Sequence, residues 1–110
     1  MAERLRREDS AIFLALQGEQ LAGFTQLYPS FSSGAMARIF VLNDLFVTPE
    51  SRRRGICFSL LGAAAEYARA EGAVRLALST ELTNTTAQAA YEKAGWKRDT
   101  VFCVYQLALQ

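Results

Sequence analysis

Leu42–Ala65 reads LNDLFVTPESRRRGICFSLLGAAA, and the order of residues in this stretch decides the fold. An apolar run is followed by a proline, three consecutive arginines and a glycine, after which apolar residues recur every three or four positions. That order predicts a buried strand, a basic turn facing an anion, and the first turns of a helix.

Outward from this stretch, Arg38–Val47 reads as a long central strand, interrupted by Asn43 and Asp44, whose apolar residues barely alternate. Between Gly55 and Glu71 the residues Cys57, Leu60, Leu61, Ala64 and Ala68 fall on one helical face, and Gly72 stands where a glycine ends a helix. Val74–Ser79 reads as the next strand, parallel to the first because a helix joins them. Upstream, Ala11–Leu16 and Leu21–Tyr28 read as a hairpin turning at Gly18–Glu19, and Pro29–Ala35 reads as a loop. Ala2–Asp9 is charged and fits either a helical turn or a frayed end. Downstream, Asn84 caps a second helix to about Ala94, with Ala87, Ala90, Tyr91 and Ala94 as its stripe and Gly95 as its stop. Val101–Leu109 reads as a closing strand.

The bulk properties bound the function. With 110 residues the chain is expected to form a single domain, 1–110, and 51% hydrophobic against 21% charged residues describes a globular protein. No apolar run approaches the roughly 18 residues of a membrane span, and no signal-peptide pattern follows the charged start, so no membrane contact and a cytoplasmic location are expected. Twelve basic against 11 acidic residues argue against nucleic acid as a partner. The two cysteines, Cys57 and Cys103, lack disulfide-scaffold or metal spacing, and no metal is expected. There is no histidine, which excludes Ser/His/Asp and Cys/His nucleophilic mechanisms.

Arg52-Arg53-Arg54-Gly55 at a helix start brings guanidinium groups, backbone N–H groups and the helix dipole to one place. Taken alone it is either a solvated basic turn or a phosphate site. It matches neither a Walker A loop nor a dinucleotide turn, and its place between a buried strand and an amphipathic helix favours the anion site.

Leu45-Phe46-Val47, Pro49 and Arg52-Arg53-Arg54-Gly55-Ile56-Cys57 resemble the hallmark of the GNAT superfamily of acyl-CoA-dependent N-acetyltransferases, [Q/R]-x-x-G-x-[G/A] opening a helix after a strand. Asn84-Thr85-Thr86-Ala87-Gln88-Ala89-Ala90-Tyr91, continuing to Gly95-Trp96, is similar to the family's N-x-x-A-x-x-x-Y-x-x-x-G-[F/W] helix. Two matches in order, covering about Ala11 to the C-terminus, imply an α/β fold: a mixed β-sheet flanked by helices around a strand-helix-strand cofactor unit.

The resemblance implies acetyl-CoA as cofactor, its pyrophosphate on the backbone of Arg53–Ser59, including Phe58, and its pantetheine arm beside Leu45–Val47. It gives Tyr91 the role of protonating the departing thiolate, with Asn84 two helical turns away on the same face, and a phenol is indeed protonated at neutral pH. Alone, Tyr91 reads as a core aromatic; beside Asn84 and Gly95 it reads as functional. The acceptor is expected to be a primary amine of a small molecule or peptide. Tyr28 and the Asn43-Asp44 pair look most like the diamine and polyamine branch, although Asn43 replaces one acid. Asp44 either takes the proton from the attacking amine, directly or through water, or is held by loop N–H groups, with Glu81 as the second candidate. Because successive strand residues face opposite ways, only one of Asn43 and Asp44 is expected to face a given cleft.

Cys57 stands where the family has Gly or Ala. At a helix start near arginines its thiol pKa is expected to be lowered, which suits oxidation or modification, while a small residue packed under the helix is the plainer reading. The family's first strand and helices, which wall the acceptor pocket, have no counterpart ahead of Ala11. Either they were lost or a partner supplies the wall, and the apolar surface left open favours a homodimer or higher homo-oligomer. Two rivals to the enzyme are a non-catalytic CoA-binding module that has lost its acceptor half, and a basic nucleic-acid module.

Overall fold

The computed structural model describes residues 2–7, 10–32, 36–51 and 55–109. The chain divides into two compact units, Met1–Ser79 and Thr80–Gln110.

The first unit is a mixed five-stranded sheet in the order β1-β2-β3-β4-β5. Its strands are β1 (Ala2–Arg7), β2 (Ser10–Gln17), β3 (Gln20–Ser32), β4 (Ala37–Val47) and β5 (Leu76–Ala77). The first four pair antiparallel, and β5 runs parallel to β4. Gly18, at φ 64°, takes the first of the two turn positions between β2 and β3, as the hairpin reading expects.

Several elements differ from expectation. Ala2–Arg7 is an edge strand on β2, from Ala2 opposite Ala15 to Arg7 opposite Ser10, where a helical turn or frayed end was the reading. Charged residues suit such an edge. β3 continues through Pro29 to Ser32, so the first residues of the expected loop are strand; residues 33–35 lie outside the described residues. Proline is tolerated because β2 ends its pairing at Ala11 opposite Leu27, so Pro29 breaks no ladder on that side.

Helix α1 (Ile56–Ala70) covers one face of the sheet. Ala11, Phe13 and Ala15 of β2, Leu27 of β3, and Phe40 and Leu42 of β4 are buried with Ile56, Leu60, Leu61, Ala64 and Ala68 of the helix. The Tyr67 ring meets Phe13 and Phe40 edge-on, at centroid distances of 5.6 and 5.5 Å. The buried stripe begins at Ile56, whereas Cys57, expected in it, is half-buried. Gly72, at φ 79°, closes the helix: its N–H donates to Arg69 and that of Ala73 to Ala68, at 3.0 and 2.9 Å. The opposite sheet face carries Ile12, Leu14, Phe24, Gln26, Tyr28, Val41 and Asn43, by alternation with the buried set.

β5 is shorter than the expected Val74–Ser79. Only Leu76 and Ala77 pair with β4, opposite Phe40 and Val41, while β4 runs on to Val47. The two parallel strands therefore part after Val41, and β4 has no further strand beside it on that side among the described residues.

In the second unit α2 (Thr85–Lys93) follows its sequence signals closely. Asn84 Oδ1 accepts from the Ala87 N–H at 3.1 Å. Gly95, at φ 97°, closes the other end, its N–H donating to Glu92 and that of Trp96 to Tyr91, at 3.1 and 3.0 Å. The expected strand over Val101–Leu109 is absent: these residues have no strand pairing, and Phe102 and Tyr105 are 78% and 93% exposed. High β-propensity forms a strand only where another edge receives it. Asp99 restrains the start of the segment locally: its Oδ1 accepts from the N–H groups of Val101 and Phe102 at 2.9 and 3.0 Å.

Candidate active site

The described site in the first unit begins at a β-bulge. Phe24 pairs with Phe46 and Gln26 with Asn43, so Asp44 and Leu45 together face the single residue Thr25. The bulge sets Asp44 and Leu45 against one partner residue, so the break in strand alternation falls after Asn43. Asn43 is exposed and directly opposite Gln26, Leu45 and Val47 are half-buried, and the Phe46 ring lies 5.8 Å from that of Phe24. Asp44 belongs to β4, but its carboxylate lies outside the described atoms. Thr25 is fully buried, and its hydroxyl has no hydrogen-bond partner among the described residues.

Gly23 holds this strand end close to its neighbours. A Cβ there would stand 2.5 Å from the Phe46 carbonyl oxygen and 3.3 Å from both Ile56 and Leu60. No other residue lets β3, the bulged end of β4 and the start of α1 approach so closely. The Thr48 N–H then donates to Ala22 at 2.8 Å, and a short 3-10 turn, Pro49–Ser51, leads toward the helix. Arg52, Arg53 and Arg54 lie outside the described residues.

Gly55 opens α1 in the left-handed region, at φ 75°, and no side chain caps the helix. The first helical bond is from the Ser59 N–H to the Gly55 carbonyl at 3.0 Å, so the N–H groups of Ile56, Cys57 and Phe58 precede the helical ladder. Three backbone donors and the positive end of the helix dipole thus meet near the end of β4, where no further strand lies beside it past Val41 among the described residues. Such a combination accepts an anion at the helix and an extended chain along the strand. Cys57 corrects an expectation, because burial pushes its thiol pKa up from the ordinary 9.0 rather than down. The cause is burial, which desolvates the thiolate.

The first unit therefore brings together Asn43, Leu45, Phe46, Val47, Gly55, Ile56, Cys57, Phe58 and Ser59 along one strand-turn-helix path, with Tyr28 on β3. Asn84, Tyr91 and Glu81 belong to the second unit. There Asn84 is the cap, and Tyr91 packs against Trp96 at a centroid distance of 6.1 Å. Glu81 is exposed, and its carbonyl accepts from Gln88 Nε2 at 2.9 Å while that of Leu82 accepts from the same nitrogen at 3.0 Å. Gln88, Gly23, Gln26 and Thr25 carried no role in the sequence reading. Only Gly23, a glycine within an otherwise strand-like run, left a signal.

The model of the acetyltransferase (GNAT) family matches residues 1–96. The chain belongs to the GNAT family of acetyltransferases. It is 47% identical over 104 residues to the uncharacterized N-acetyltransferase YhfO of Bacillus subtilis, covering 94% of this chain and 70% of that protein. It is 35% identical over 95 residues to the thialysine N-epsilon-acetyltransferase of Caenorhabditis elegans, covering 83% of this chain and 59% of that one. Among solved structures, a probable acetyltransferase superposes with a TM-score of 0.84 at 43% identity, covering 93% of this chain and 69% of the other. The aminoglycoside N-acetyltransferase AAC(6')-Iy in complex with CoA shares the fold, with a TM-score of 0.80 at 22% identity over 93% of this chain and 78% of its own. CoA is thus bound by a protein of this GNAT fold, and no described helix of the present chain is long and apolar enough to cross a membrane.

Proposed function

We propose that the chain forms one N-acetyltransferase domain that moves acetyl from acetyl-CoA to a primary amine of a small molecule or peptide. The observation that carries this reading is the free edge of β4 leading into an uncapped, glycine-opened helix: an open strand edge suits the amide-bearing pantetheine arm, and three helix-start N–H groups suit the pyrophosphate. Arg52, Arg53 and Arg54 add positive charge to the same turn by sequence. Acetyl-CoA, when bound, supplies the activated carbonyl.

The chain's own residues then have three tasks. Backbone groups of Leu45–Val47 hold the thioester end in place beside the bulge. Asp44, directly or through a water, takes the proton that the amine loses on attack, with Glu81 as the second candidate. The Tyr91 hydroxyl gives a proton to the sulfur as the carbon–sulfur bond breaks, so acetylated amine and free thiol leave together with no covalent enzyme intermediate. Asn84 uses its carbonyl oxygen in the cap, and its amide nitrogen is the group proposed to contact the cofactor. A homodimer or higher homo-oligomer in the cytoplasm belongs to the same proposal.

The test is release of CoA thiol from acetyl-CoA in the presence of polyamines, diamines, amino acids, aminoglycosides and peptides, with the mass in solution measured alongside. Thiol release with at least one amine class is expected. Stabilisation by acetyl-CoA with no thiol release from any amine would leave a CoA-binding module and sink the enzyme.

A further inference from the structure

Asn84 at the cap and Gln88 and Tyr91 within α2 follow the i, i+4, i+7 spacing of one helical stripe, so Gln88 stands between the two residues that the proposed function turns to CoA. Its side chain reaches back to the turn ahead of the helix. Gln88 Nε2 donates to the Glu81 carbonyl at 2.9 Å and to the Leu82 carbonyl at 3.0 Å, which commits both of its amide hydrogens. The Glu81 carbonyl also accepts from the Asn84 N–H at 3.0 Å, the Thr83 carbonyl from the Thr85 N–H at 3.0 Å, and the Asn84 carbonyl from the Gln88 N–H at 3.1 Å. Every carbonyl from Glu81 to Asn84 is thus engaged, and Gln88 supplies a donor to Glu81, Leu82 and Asn84 alike.

This grip lies where apolar packing contributes little. Residues 81–86 are exposed, Leu82 at 76%, whereas Gln88 is half-buried. A turn standing in water is ordered chiefly by its hydrogen bonds. Bridging two adjacent carbonyls needs a group with at least two hydrogens to give, and a carboxylate of the same shape as the Gln88 amide has none. Backbone that is ordered before a ligand arrives loses no further freedom on binding it. At its two ends the turn carries the Glu81 carboxylate, the second candidate for proton acceptor, and the Asn84 amide, so holding the turn orients both.

We propose that Gln88 is a positioning residue for CoA binding, its carboxamide holding the Glu81–Asn84 turn so that the Asn84 amide meets the cofactor in one fixed orientation. The inference rests on the acetyltransferase reading above. Its test is calorimetric titration of CoA into the parent and its variants, with the melting temperature of each unliganded variant showing that it folds. Gln88→Ala and Gln88→Glu are each expected to weaken CoA binding by about fivefold, while Gln88→Arg, which keeps a fork of N–H donors, stays within about twofold of the parent. The decisive comparison repeats Gln88→Ala in an Asn84→Asp background, which keeps the cap acceptor and removes the amide hydrogens. There Gln88→Ala should weaken CoA binding hardly further, whereas a merely structural role would impose the same penalty again. If Gln88→Ala does not fold, Gln88→Glu takes its place in both backgrounds. CoA affinity unchanged in Gln88→Ala and Gln88→Glu, a loss in Gln88→Arg as large as theirs, or an equal penalty in both Asn84 backgrounds overturns the positioning role while the acetyltransferase stands. Absence of CoA binding in the parent overturns the acetyltransferase reading, and the positioning role with it.

Discussion

Tyr91 and Trp96 close the C-terminal end of α2 together: the Trp96 N–H donates to the Tyr91 carbonyl at 3.0 Å, and the two rings lie 6.1 Å apart. The pair is the backbone bond and apolar contact that accompany a glycine-terminated helix. Tyr91 therefore has a structural task carried by its ring and main chain, separable from the catalytic task proposed for its hydroxyl.

That separation defines the first prediction. Tyr91→Phe keeps the ring and the backbone bond, so CoA affinity should fall far less than turnover. Turnover should fall by about 10²-fold or more, the usual scale for losing a positioned proton donor. Equal losses in binding and turnover, or no loss in either, would remove Tyr91 from the chemistry.

Gly23→Ala makes a sharper structural test. The added methyl would meet the Phe46 carbonyl oxygen at 2.5 Å, and a backbone atom inside a sheet cannot swing aside as a side-chain end can. A cost of about 3 kcal/mol is expected in urea unfolding. Because the displaced strand is the one proposed to lie along pantetheine, the stabilisation given by CoA should shrink as well. An unperturbed midpoint would show that β3 and β4 are not this close.

Thr25→Val tests the residue opposite the bulge. The hydroxyl is fully buried without a partner among the described residues, so removing it leaves the shape intact and relieves a desolvation cost. Stability should hold or rise by up to about 1 kcal/mol. A loss larger than that would mean the hydroxyl is bonded across the bulge, where Asp44 and Leu45 stand opposite it.

These residues show what kinds of information the sequence carried. Both helices were legible because their signals are local: Asn84 caps, Gly72 and Gly95 stop, and the apolar stripes lie within a few turns. The hairpin at Gly18 was legible for the same reason. Strand extents were not, because they depend on a neighbour distant in sequence. Leu76–Ala77 is all of β5 since β4 and β5 part after Val41, and Val101–Leu109 has the composition of a strand without a partner. The bulge was invisible because it is a property of two registers rather than of one segment. The motif around Gly55 announced the family, while the Ser10–Gln26 bond and the Gln26–Asn43 pairing exist only after three strands are set side by side.

Cys57 supplies the last prediction, in which two effects oppose each other. A helix start with arginines in the preceding turn favours the thiolate, yet burial raises the thiol pKa above its ordinary 9.0. In a Cys103→Ser variant at pH 7–8, Cys57 should therefore react slowly with a thiol reagent, whereas Cys103, exposed in the parent, reacts fast in the reciprocal Cys57→Ser variant. The same shift sets a sign for stability. A group whose pKa is raised by folding contributes fully below its unfolded pKa, and its contribution is lost as pH climbs through the folded value. The parent should accordingly lose stability more steeply than Cys57→Ala as the pH rises above about 9, with the two curves parallel below it. Rapid labelling of Cys57 at neutral pH would show instead that the positive charges of the turn outweigh burial.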